Sequence, residues 1–97
     1  MEKNQKKLTP EEIQQRLDTL DSWELEGSKK IHKSYTFKNF KQALAFTNKV
    51  GSVAEELQHH PDIYLTWGKV NIEIYTHRTD QLTEADFQLA ERIDQID

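Results

Sequence analysis

A chain of 97 residues with 35% hydrophobic content has room for one core and no second folded domain, and without cysteine it has no disulfides, thiolate metal ligands or cysteine nucleophiles. A net charge of -4 with 31% charged residues suits a soluble protein and argues against broad phosphate-backbone binding; Lys29, Lys30, Lys33, Lys38 and Lys41 read as solvated edge and loop charges. No apolar run is long enough for a membrane span or a signal peptide, so the expectation is a cytoplasmic protein that contacts neither membrane nor nucleic acid.

Residues 1–8 are expected to form a flexible polar tail, with a single domain over residues 9–97. Thr9-Pro10-Glu11-Glu12 combines an N-cap threonine, a proline at the first helical position and a capping-box glutamate. Ile13, Leu17 and Leu20 follow at helical spacing, which predicts a helix from about Pro10 to Leu20. Trp23 to Glu26 alternates before Gly27-Ser28, and Ile31, Lys33, Tyr35 and Phe37 alternate with His32, Ser34 and Thr36, the pattern of a hairpin. From Asn39 the period changes. Phe40, Ala43, Leu44, Thr47, Val50, Ala54 and Leu57 recur every three or four residues, predicting a long amphipathic helix in which Gly51 is read as a point of close packing. Pro61 disfavours helical dihedrals at His60, so this helix is expected to end near His59. Ile63, Leu65 and Trp67, then Val70, Ile72 and Ile74, flank Gly68 as a second hairpin. Thr83 to Asp86 opens a last helix with Leu82, Leu89, Ile93 and Ile96 on one stripe. The order α-β-β-α-β-β-α predicts an α+β fold, a four-stranded antiparallel sheet with three helices packed on one face.

Groups capable of chemistry gather at the ends of these elements. In the stretch EELQHHP, residues 55–61, a helix reaching His59 would put Glu55 and His59 on one face, where the carboxylate can orient the imidazole. His60, displaced by Pro61, points elsewhere. The alternative is an ordinary helix end, where histidine meets the negative end of the dipole. His77 follows the strand expected over Lys69 to Thr76. Asp86 falls on the apolar stripe of the last helix, where a carboxylate needs a partner; it serves either as the capping-box acid with Thr83 or directly in catalysis. His32 has no such context and reads as surface. Neighbouring histidines diverge, and no HxxxH or HxH pair exists, which favours a metal-free acid and base site over a metal site. No serine sits in a nucleophile elbow.

The intervals Glu55-x3-His59-His60-Pro61-x5-Trp67-x9-His77-x8-Asp86 closely resemble the signature of the pterin-4a-carbinolamine dehydratases. The similarity extends to Trp23 in SWELEG, Phe37-Lys38-Asn39-Phe40, Thr76-His77, Leu82-Thr83 and Leu89-Ala90. Gln58 stands where an acidic residue is common, and Gln81 where glycine often precedes Leu-Thr. The resemblance implies removal of water from 4a-hydroxytetrahydropterin to give quinonoid dihydropterin, in tetrahydrobiopterin recycling. It implies catalytic roles for His59, His60 and His77, support from Glu55 and Asp86, and substrate contacts at Pro61, Trp67, Thr76 and Trp23. It implies no metal and no cofactor, a small-molecule pterin as partner, dimers that extend the sheet, and tetramers formed through the long helices. Two other roles are compatible with it: a dimerisation or transcriptional coactivator module, and action on another pterin, as in molybdopterin metabolism. From their placement on two elements, His59 braced by Glu55 and His77 at the strand exit are expected to transfer protons, and His60 to hold the substrate.

Overall fold

In the computed structural model, which describes residues 7–27, 29–76, 79 and 81–96, the Thr9 side chain accepts from the Glu12 amide (3.1 Å) and the Glu12 carboxylate accepts from the Thr9 amide (2.9 Å). This capping box opens α1, Pro10–Asp18, which stops two residues short of the expected end; the Leu20 amide instead donates to the Leu17 carbonyl in a turn. Strands β1 (Glu24–Glu26) and β2 (Lys30–Thr36) form the first hairpin, with Gly27 at φ +61° in its turn. Helix α2 spans Phe40–Leu57, β3 and β4 span Asp62–Leu65 and Lys69–Ile74, and α3 spans Glu84–Asp94. Gly68 sits in the second turn, where a Cβ would come within 3.0 Å of the Phe37 carbonyl oxygen. Among the described residues, no helix is long and apolar enough to cross a membrane.

The sheet is antiparallel, in the order β1-β2-β4-β3, and its register divides the residues between two faces. Ile31 lies opposite Ile74, Lys33 and Ile63 flank Ile72, and Tyr35 and Leu65 flank Val70. On that face Ala43, Phe46, Val50 and Ala54 of α2 and Phe87, Leu89, Ala90 and Ile93 of α3 complete the core. The other face carries His32, Ser34, Tyr64, Asn71 and Glu73, with pairs such as Lys30 to Glu73 (3.1 Å). Each buried Ile, Val or Phe contributes about 1.5–3 kcal/mol whereas solvent-screened ion pairs of this kind contribute little, so the apolar set decides which face turns inward.

Three expectations are corrected here. Lys7 and Leu8, assigned to the tail, join the domain: Lys7 bridges Thr83, and the buried Leu8 donates its amide to the Leu82 carbonyl (3.1 Å). A lone apolar residue before a cap carries no periodicity to reveal this. Lys33 is no loop charge, because strand parity with Ile31 and Tyr35 turns it inward to Asp94. Gly51 marks no close approach among the described residues, since beyond its own stretch of helix no atom lies within 4 Å of where its Cβ would sit.

Asp94, the last residue of α3, gathers three donors: Lys33 Nζ (2.9 Å) and Tyr35 Oη (2.6 Å) on Oδ1, and Trp23 Nε1 (2.9 Å) on Oδ2. Burial, and then the bond to Asp94, pushes the Tyr35 phenol well above its ordinary value. The folded state therefore keeps this proton at a pH where the unfolded chain releases it. Its contribution to stability is fully present below about pH 10 and is lost as pH rises beyond that, at no more than about 1.4 kcal/mol per pH unit because a single proton is involved. Tyr35→Phe is expected to flatten the alkaline limb of a plot of urea midpoint against pH; an unchanged limb would contradict this.

Candidate active site

Helix α2 ends where Gln58 turns left-handed (φ 54°, ψ 42°) and the next two amides fold back, Gln58 to the Glu55 carbonyl (3.2 Å) and His59 to the Ala54 carbonyl (3.1 Å). This is a Schellman ending with glutamine where glycine is usual. Left-handed dihedrals cost a side chain about 1 kcal/mol, so Gln58→Gly is expected to stabilise the protein by up to about that much, read as a raised urea midpoint at unchanged m-value. A lower midpoint would show that the Gln58 side chain contributes contacts of its own.

The turn at Gln58 decides where the two histidines go. His59 is carried inward, with its side chain 7% exposed, and its Nε2 lies 2.6 Å from Oδ1 of the fully buried Asp86. His60 stays outside, its Nε2 2.6 Å from Glu55 Oε2, with the two side chains 59% and 78% exposed. The expected pairing of Glu55 with His59 is therefore corrected: Glu55 meets His60, and Asp86 meets His59. The i, i+4 argument assumed a helix continuing through residue 59, and the left-handed residue ends it at Leu57.

Asp86 reaches this position from the N-terminus of α3, where it is the acid of a capping box with Thr83, and its Oδ2 accepts from the Thr83 amide (2.8 Å). The two readings offered for Asp86, cap and site, are compatible because each occupies a different carboxylate oxygen. Thr76, just past β4, donates its hydroxyl to the same Oδ2 (2.8 Å) and lies 2.8 Å from the Thr83 hydroxyl. Asp62 of β3 pairs with Glu73 of β4, so the His59-His60-Pro61 segment and the exit toward Thr76 share one end of the sheet. Pro61, half-buried, joins His60 to β3 at that end.

Not every anticipated residue is near. Thr76 is close to the pair but buried, its hydroxyl engaged with Asp86 Oδ2 and the Thr83 hydroxyl. Trp67 is 68% exposed in the β3–β4 turn, about 20 Å of strand away from Pro61. Trp23 bonds to Asp94, eight residues and about 12 Å of helix from Asp86. His77 follows Thr76 in the chain and lies outside the described residues. A groove of about 600 Å3 opens beside Trp23's partner Asp94, lined by Tyr35, Phe37, Phe46, Lys49 and Ile96 among others; no imidazole lines it among the described residues, and its carboxylate is already committed to three donors. Among the described residues no three His, Asp or Glu side chains converge as metal ligands. The hydroxyl of Thr83 is the one participant that the sequence presented only as a cap.

Residues 6–96 match the family model described as pterin 4 alpha carbinolamine dehydratase. The chain is 42% identical over 89 residues to a protein of Rubrobacter xylanophilus, covering 92% of this chain and 83% of that one, and 46% identical over 89 residues to a protein of Nostoc punctiforme, covering 92% and 95%. Both are provisionally named pterin-4-alpha-carbinolamine dehydratase. Among solved structures it is similar to a transcriptional coactivator/pterin dehydratase from Brucella melitensis, with a TM-score of 0.86 at 31% identity over 92% of this chain and 96% of that one. It is also similar to a pterin dehydratase-like protein described as a RuBisCO assembly factor in the alpha-carboxysome, with a TM-score of 0.64 at 26% identity over 76% and 87%.

Proposed function

Because the chain belongs to the pterin 4 alpha carbinolamine dehydratase family, we propose that it removes water from a 4a-hydroxytetrahydropterin by metal-free acid and base catalysis, serving tetrahydrobiopterin recycling. The observation that carries the reading is the buried pair of His59 and Asp86 at 2.6 Å. In the reaction the C4a–O bond breaks and the N5 lone pair forms a C4a=N5 double bond. The leaving oxygen takes up a proton and N5 gives one away, so the product is a quinonoid dihydropterin and water. Imidazole suits both transfers near neutral pH, and one positioned transfer is typically worth about 10² to 10⁴ in rate.

As a carboxylate, Asp86 accepts from Nε2–H of His59, which leaves Nδ1 as the nitrogen that exchanges protons with the substrate. His77 is assigned the second transfer from its place in the signature. His60, on the solvent side with Glu55, holds the substrate. His60→Ala is expected to raise KM several-fold with kcat within about twofold, and to cost less than about 1 kcal/mol of stability because exposed pairs contribute little. A fall in kcat beyond tenfold would move His60 into the proton-transfer set.

The reading is tested by adding the purified protein, with chelator present, to freshly generated carbinolamine and following loss of the 4a-hydroxyl in the ultraviolet. Acceleration above the spontaneous rate supports it. A rate equal to the spontaneous one would leave a binding module as the better reading, and recovery only on adding zinc would replace metal-free catalysis.

The family premise also supports a dimer that extends the sheet, since β3 is an edge strand with Tyr64 exposed on it, and a tetramer through α2, where Phe40 and Leu44 are exposed. A single-subunit mass by light scattering would contradict both.

A further inference from the structure

We infer that Thr83 is a positioning residue of this site: its hydroxyl, acting through Thr76, holds the Asp86 carboxylate so that His59 keeps a single tautomer. The inference rests on the dehydratase reading for its kinetic consequence and on geometry alone for the rest.

The argument follows from counting protons. Thr76 has one hydroxyl proton, and it goes to Asp86 Oδ2 at 2.8 Å. In its 2.8 Å contact with Thr83, Thr76 then accepts and Thr83 donates, this being the shorter of the two contacts open to the Thr83 proton, whose other acceptor is Asp86 Oδ2 at 3.3 Å. The chain then runs from Thr83 to Thr76 to Asp86, and hydrogen bonds in such a chain polarise one another. The Thr83 amide, a donor that cannot reverse its role, meets the same oxygen at 2.8 Å, and the Thr83 hydroxyl itself lies 3.3 Å away. Donors from two residues thus converge on Oδ2, which leaves Oδ1 turned toward His59 Nε2 at 2.6 Å.

Thr83 is itself held. It is fully buried, it bridges Lys7, and the Leu8 amide donates to the Leu82 carbonyl beside it (3.1 Å). The Gln81 side-chain amide donates to the Leu8 carbonyl (3.2 Å), tying the approach to α3 to the same N-terminal segment. A threonine serving only as an N-cap needs no donor role toward a neighbouring hydroxyl, so the contact with Thr76 is what the cap does not explain. If Oδ2 loses this chain it keeps only the Thr83 amide; the carboxylate can then swing away from Nε2, and the selection of Nε2–H over Nδ1–H on His59 weakens.

The test uses Thr83→Val, which keeps the shape and removes the hydroxyl, Thr83→Ser, which keeps the hydroxyl, and Thr76→Val, which breaks the chain one link closer to Asp86. Two-bond proton–nitrogen spectra of ¹⁵N-labelled protein report the His59 tautomer without any turnover, and kinetics on the carbinolamine report the rest. The wild-type protein and Thr83→Ser should show one tautomer with the proton on Nε2. Both valine variants should show a mixture, with kcat lower by about ten- to hundredfold and KM within about threefold. A single tautomer in Thr83→Val, or a loss in Thr83→Ser as large as in Thr83→Val, would overturn the inference, as would failure of both valine variants to fold, which would make the chain purely architectural. A tautomer that responds in a protein with no dehydratase activity would uphold the positioning and remove only the dehydratase reading.

Discussion

Asp86→Asn is expected to lower kcat by about 10² to 10³ while the protein stays folded. The amide oxygen can take over the bonds that Oδ2 accepts from the Thr83 amide and the Thr76 hydroxyl, so the start of α3 survives at a cost of about 1–2 kcal/mol. The amide nitrogen then faces His59 Nε2 as a donor. Nε2 must accept, the neutral ring carries its proton on Nδ1, and the nitrogen meant for the substrate is blocked. His59→Ala should lower kcat by about 10 to 10³, less at the low end because water can stand in for an imidazole. His77→Ala should fall in the same range, and the double variant His59→Ala/His77→Ala should approach the spontaneous rate. Because His59 and Asp86 act as one unit, His59→Ala/Asp86→Asn should be no slower than the worse single variant. If Asp86→Asn kept kcat within about threefold and only raised KM, the site would recognise substrate rather than move its protons.

Phe87→Ala is expected to be the most damaging of the stability variants, at about 3–5 kcal/mol. Phe87 is the largest fully buried side chain among the described residues, and it directly follows Asp86. The Arg16 guanidinium lies 5.8 Å from its ring centroid and pairs with Glu84, which raises the pKa of Arg16 chiefly through that hydrogen bond. Truncation would open a cavity between α1 and the start of α3, the helix end that carries Asp86. Small domains have about 5–15 kcal/mol in total, so the melting temperature should fall by more than about 10 °C, and activity should fall at temperatures well below the transition. A loss below about 1 kcal/mol in urea titration would mean that the neighbours collapse into the space.

The elements were legible in the sequence because each is a local pattern. The alternation of Val70, Ile72 and Ile74, the three- and four-residue steps from Phe40 to Leu57, and the caps at Thr9 and Thr83 depend on residues within a turn or a strand of one another. They determine a helix or strand and its apolar face, and with the hairpins they lead to the antiparallel sheet. The presence of His59, His60 and Asp86 at element ends was legible for the same reason.

Which carboxylate meets which imidazole was decided only by the tertiary structure. The chain reverses at Gln58 through one left-handed residue, a backbone choice that glutamine does not advertise, and so His59 pairs across 27 residues with Asp86 instead of across four with Glu55. Lys33, Tyr35 and Trp23 likewise meet Asp94 only because the register of β2 and the packing of α3 bring them there. A buried polar group must find a partner wherever the fold offers one, and that partner depends on how elements distant in sequence pack, which no local period encodes.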